Sequence, residues 1–245
     1  MTRRTATTTT IIMTTTITTD AALYRLLTWL SPGFPVGAYS YSHALEAAVE
    51  AARVNDAVTL AVWIEGVLAH GAASADAVFL VATWQAVRAG DRVAFRAAAE
   101  RAAAMRGSAE LALESAAQGV AFIGVVEATW NVSELRAWRD ALPGDVAMTY
   151  PVAVGLAAAL AGLPLPATLT AYLQGFAANL VSAGVRLIPL GQSDGQRVLA
   201  RLEPAVARAA GVALDRRLDD AASAAPVVDL LSMRHESQYT RLFRS

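Results

Sequence analysis

Glu110, Glu114 and Gln118 recur every four residues and so share one face of a helix. Carboxylates at that spacing can hold a metal or act as acid and base. The same pattern on a surface helix is a solvated face, and catalysis would need a cleft that perturbs the groups. Imidazoles are few: His43, His70 and His235, with no pair at the helical spacing of metal ligands. The absence of Cys removes disulfides, thiolate nucleophiles and Cys-ligated zinc, and leaves the redox compartment undetermined. All 20 basic residues are Arg. Without Lys there is neither a P-loop nor Schiff-base chemistry, so Gly191 to Gly195 reads as a turn with Asp194 as a helix cap. The material for a catalytic centre is thin, and no catalytic, cofactor or metal residue is assigned.

Two stretches carry more information. The chain ends LLSMRHESQYTRLFRS, which crowds Arg234, His235, Glu236, Tyr239, Arg241, Leu242, Phe243 and Arg244 together. Termini usually fray; one so rich in Arg and aromatic groups reads as a segment to be held by something, against the plain alternative of a solvated helix end. Near the other end, Ser31 to Glu46 reads SPGFPVGAYSYSHALE. Its closely spaced Pro and Gly force a rigid turn that presents Phe34, Tyr39 and Tyr41, rings that could equally plug a core. Arg186, among Val185, Leu187 and Ile188, requires a carboxylate or carbonyl partner.

The formal charge of −1 comes from scattered residues, and nothing points to nucleic acid. Hydrophobic residues make up 55% and mean hydropathy is +0.40, which raises the question of a membrane. The longest charge-free apolar run, Val152 to Leu163, falls short of the ~20 residues of a spanning helix. Glu65 and Glu127 cut the others. These are the buried helices of a soluble bundle.

Caps and breakers place the elements. Residues 1–20 are a Thr-rich leader, excluded from the fold. Ser42, Asp56, Ser74, Asp91 and Ser108 open successive helices, and Ser133 to Leu142 forms a short one. Pro151 sits in a first turn. Pro189 ends the helix carrying Leu169, Leu173 and Leu180, and Pro204 begins another that Gly211 ends. Asp215 to Ala225 reads as a linker. The expectation is one all-α domain over 21–225, of about nine or ten helices, followed by a partner-binding tail over 226–245.

Four stretches together resemble the urease accessory protein UreF family: SPGFPVGAYSYSHALE, RGSAELALESAAQG (Arg106 to Gly119), YPVAVGL…NLVSAGVRLIPLGQSDGQ (Tyr150 to Gln196) and SMRHESQYTRLFRS. Ala112 stands where the family often has a polar residue, and the leader has no family counterpart. The resemblance implies a cytoplasmic, non-enzymatic, all-α homodimer that binds UreD (UreH in some organisms) and the GTPase UreG on apo-urease during nickel insertion. It implies that Phe34 and its loop help form the dimer or partner surface and that Tyr39 helps seat the tail. Arg241 would anchor the tail, with His235, Glu236 and Tyr239 sharing that surface. Two other functions compete: a regulator supplying an Arg to UreG, and a nickel-binding chaperone built on His235 and Glu236, for which ligands are few. Ordering some fifteen residues costs roughly 1–2 kcal/mol each, so the tail is expected to be mobile until a partner binds it.

Overall fold

The helix-opening residues act as their chemistry dictates. Asp56 accepts from Thr59 N (2.7 Å) while Thr59 Oγ1 accepts from Asp56 N (3.1 Å). Asp91 accepts from Ala94 N and Ser108 from Leu111 N. The structure, a computed structural model, describes residues 19–245 and contains no strand among them; nearly all of the Thr-rich leader lies outside the described residues.

Eleven α-helices form: α1 (Asp20–Trp29), α2 (Leu45–Glu50), α3 (Ala57–His70), α4 (Ala72–Ala89), α5 (Arg92–Ala104), α6 (Ala109–Thr129), α7 (Leu135–Arg139), α8 (Tyr150–Leu160), α9 (Leu165–Leu187), α10 (Gln192–Asp215) and α11 (Pro226–His235). Helix α4 lies at the centre, packed on α3, α5, α8 and α10, while α9 crosses α3 and α10. Nearly every residue of α8 is buried. A Cβ at Gly155 would stand 2.8 Å from Leu80 O, so the α4–α8 approach requires a glycine there.

Four sequence expectations are corrected. Pro204 does not begin a helix: α10 runs through it and through Gly211. A proline costs one N–H bond and a clash with the preceding turn, and burial of Leu202, Ala205 and Val206 on either side offsets this. Asp194 lies inside the first turn of α10 and bonds back to Gly191 N (3.1 Å). Ser42 stands before Ala44, the residue at the N-cap of α2, though its hydroxyl still accepts from Glu46 N (3.2 Å). Ser74 does not open its helix: it lies in the first turn of α4, whose N-cap is Gly71.

Helix α6 is by length and hydropathy apolar enough to cross a membrane, yet half of that stretch is buried within the bundle. Its inner face packs on α8, and Ser115 Oγ accepts from Tyr150 N (3.3 Å). Gly119 lies directly beneath the Met148 carbonyl, where a Cβ would collide with backbone. Gly119→Ala is therefore expected to cost about 1–3 kcal/mol, read as a melting temperature several degrees lower; an unchanged melt would show that α6 and α8 can part without cost.

Candidate functional site

The face of Glu110, Glu114 and Gln118 is not solvated. All three are buried, as is Glu46 on α2. They form the floor on which the chain's last residues lie. Sequence reasoning missed this because a carboxylate stripe on a helix is usually a solvated face, and the group that covers this one is more than a hundred residues away.

His235, at the end of α11, is fully buried between two carboxylates. Its Nδ1 is 2.8 Å from Glu110 Oε2 and its Nε2 is 3.1 Å from Glu46 Oε2. Arg241 donates to the other oxygen of Glu110 (2.8 Å). Glu46 also accepts the backbone N–H of Leu242 (2.7 Å) and Phe243 (2.9 Å). Each carboxylate thus receives charge-assisted or backbone donors and acts as an ionised acceptor. Each ring nitrogen of His235 faces a carboxylate oxygen, and the Arg241 guanidinium closes the cluster on Glu110.

Further bonds tie the tail to the Ser31–Glu46 loop. Arg244 N donates to Ser40 O and Ser42 N to Ser245 O, both at 2.8 Å. The Ser42 hydroxyl also donates to Ser245 O, and Ser245 Oγ donates to Glu114 (2.8 Å). Phe243 is buried under the Arg186 guanidinium, whose carbon lies 4.4 Å from the ring centroid. Arg186 finds the carbonyl partners its apolar setting demands, in Tyr39 O (2.8 Å) and Ser182 O (3.2 Å). Its pKa is lowered by burial. Ser232 of α11 meets the α6 cap Ser108 at 2.6 Å.

The residues singled out from sequence divide accordingly. His235, Arg241, Leu242, Phe243 and Arg244 touch the floor or the loop through side chain or backbone. Tyr39 joins through its carbonyl, while the residue is 71% exposed. Arg234, Glu236 and Tyr239 point to solvent. Phe34, expected with its loop at a dimer or partner surface, has its side chain buried within the subunit, 5.3 Å from Phe122 between ring centroids, and not on the surface. The tail expected to be unattached is docked, because His235, Phe243 and Ser245 fill buried positions. Its removal would expose two carboxylates and an apolar slot, so the docked tail contributes to stability. Below the floor, Asp76 joins Arg106 (2.8 Å) and the Tyr172 hydroxyl (3.0 Å). Burial, then the Asp76 charge, pushes the Tyr172 phenol well above its usual range. Among the described residues no group of three or more Asp, Glu or His side chains is arranged to hold a metal ion.

Fold and site define an all-helical protein whose buried polar groups are committed to holding one chain segment against another. The UreF family profile matches residues 54–203. The chain is 54% identical over 226 residues to the urease accessory protein UreF of Rhodopseudomonas palustris, covering 92% of each. It is 53% identical to that of Granulibacter bethesdensis, over 93% of this chain and 96% of the relative, and 51% identical to that of Bradyrhizobium diazoefficiens, over 92% of each. The chain belongs to the UreF family of urease accessory proteins.

Glu46 accepts more tail donors than any other group of the floor, and Glu46→Gln tests it. Amides of Leu242 and Phe243 should exchange roughly 30- to 100-fold faster, as expected for the loss of about 2–3 kcal/mol of charge-assisted bonding. Exchange in α4 and α8 should be unchanged. Equal protection in both proteins would show that the apolar slot alone holds the tail.

Proposed function

We propose that this chain serves urease maturation in the cytoplasm as an adaptor, and that the docked tail and the Ser31–Glu46 loop form the surface it offers to partners. The observation that carries this is the closure of Glu46, Glu110, His235 and Arg241 on one another. It fixes a terminal segment whose Arg234, Glu236, Tyr239, Leu242 and Arg244 side chains remain exposed. Exposed Tyr, Arg and Leu on a braced backbone suit protein recognition, since little further ordering is needed on contact. In this reading UreD (UreH) seats on the tail side, UreG is recruited to the completed platform, and the assembly acts on apo-urease during nickel insertion. The nickel-chaperone alternative is disfavoured by His235, since both ring nitrogens are already committed to carboxylates.

The homodimer contact moves to α1. Leu26 and Trp29 of that helix face the core, while Leu23, Tyr24 and Leu27 are exposed. Beside them Pro166, Ala167, Thr170, Ala171 and Gln174 of α9 line a groove of ≈ 660 Å3. A contiguous apolar face of this kind marks a protein contact, and a second copy would bury it.

Two measurements test the reading. Arg241→Ala, co-expressed with UreD and UreG, should still fold but lose UreG recruitment by on the order of 30-fold, the effect of a hot-spot residue; undiminished capture would refute the platform. Hydrolysis of GTP, assayed on the same samples, separates a binding role from a catalytic one: a lost rate with retained capture favours the regulator. Leu27→Arg places an unpaired charge in the α1 contact at a cost of several kcal/mol, and sedimentation should show monomer. A persistent dimer would move the interface elsewhere.

A further inference from the structure

The floor beneath the tail continues into a cavity that the docking scheme does not use. Below the Ser31–Glu46 loop lies a space of ≈ 150 Å3 lined by Tyr39, His43, Glu114, Gln118, Tyr172 and Asn179, together with apolar side chains. A smaller one of ≈ 20 Å3 shares His43, Glu114, Gln118 and Tyr172 with it and reaches Asp76 and Arg106.

His43 is the anomaly. It is 5% exposed, and neither ring nitrogen has a hydrogen-bond partner in the protein. Its Nδ1 stands 3.4 Å from Glu114 Oε2 without the geometry of a bond, and its ring meets Phe176 edge-on at 5.2 Å. The backbone here is held in the left-handed region at two consecutive non-glycine residues, His43 (φ 54°) and Ala44 (φ 64°), a conformation that persists only where the surroundings impose it. Arg106 shows the same deficit. Its Nη1 donates to Asp76 and its Nε to Ala102 O, while its Nη2 is buried without a partner.

A buried polar group left unpaired costs about 1–3 kcal/mol, so three such nitrogens around one space call for an occupant. The charges facing it, Asp76 and Glu114 against Arg106, disfavour an anion. Among the described residues no three ligating side chains converge on a metal ion. Water requires a cavity of roughly 10–15 Å3 with two to four polar partners, and the smaller space meets both conditions.

We propose that these cavities are a built hydration site, in which ordered water completes the hydrogen bonding of His43 and Arg106 and bridges His43 to Glu114. His43 is thereby a positioning residue for the carboxylate that receives Ser245. This second role rests on the reading of the docked tail as the functional form.

The test uses the full chain, isotopically labelled, and bulk water as the probe. Magnetisation transfer from water to the His43 ring protons and the Arg106 side chain is expected, with the sign of long-resident water; its absence at both residues overturns the hydration site. For the positioning role, His43→Asn is the informative variant, because Asn tolerates the left-handed region but does not reach as far as imidazole. The Arg244 amide, bonded to Ser40 O, should then exchange on the order of tenfold faster, as for loss of a water-mediated bond, with α4 unchanged. Unaltered Arg244 exchange refutes the role. Should the variant unfold, His43→Gln, which restores reach and polarity, must recover both fold and Arg244 protection, and its failure to do so also refutes it. The water signals do not depend on recruitment: intact UreG capture by Arg241→Ala would remove the platform reading and leave a hydrated His43 standing, while a dry His43 beside a capture-deficient Arg241→Ala does the reverse.

Discussion

Two carboxylates that can be buried only if something neutralises them are the constraint around which this end of the molecule is arranged. Glu46 and Glu110 sit on different helices, nearly out of water, and a buried unpaired carboxylate is among the costliest features a fold can carry. The chain supplies the compensation from its own last residues, an imidazole between them and a guanidinium on one. Well-packed apolar residues in place of such a cluster are often as stable. Its value lies in specificity: only a segment with donors at the spacing of His235, Arg241 and the Leu242–Phe243 amides satisfies all the lone pairs.

Helix α6 makes this possible by having two characters. One side is apolar, and Gly119 lets the Met148–Thr149 backbone that leads into α8 pass directly over it. Another carries Glu110, Glu114 and Gln118 toward α2 and the tail. Its overall hydropathy matches a membrane-spanning helix because its buried side packs on protein while its outer side carries exposed Leu113 and Val120 in place of charge. The 55% hydrophobic content of the whole chain also reflects helices such as α4 and α8 that are packed on most sides.

Tail and loop depend on one another. The loop contributes Ser40 O, Ser42 and Glu46 within seven residues, and the Pro and Gly that stiffen it fix these acceptors and donors before the tail arrives. Arg186 joins the two from α9, with its plane on Phe243 and its N–H on Tyr39 O. Contact with either the tail or the loop is therefore contact with one bonded unit.

Much of this was open to reading in the sequence. Helical class follows from the periodicity of Leu, Val and Ala, and the caps at Asp56, Asp91 and Ser108 form where a short side-chain oxygen precedes an apolar run, since capping is a local interaction between near neighbours. The demand of Arg186 for a carboxylate or carbonyl was legible for the same local reason, an Arg set among three aliphatic residues. The two stretches rich in aromatic, Arg and His groups could each be recognised, but that they touch was implied only by the family resemblance, through Tyr39, and not by the residues themselves: residues 42 and 245 are neighbours only because α2, α6 and α9 bring them together. Nor could the burial of Glu110 and Glu114 be foreseen, because periodicity reports that residues share a helix face and not what lies opposite. Pro204 shows the limit from the other side. Its local preference to end a helix is real, and tertiary burial of Leu202, Ala205 and Val206 outweighs it. Local chemistry settled the elements; which polar face would be covered, and by which part of the chain, was decided by long-range packing.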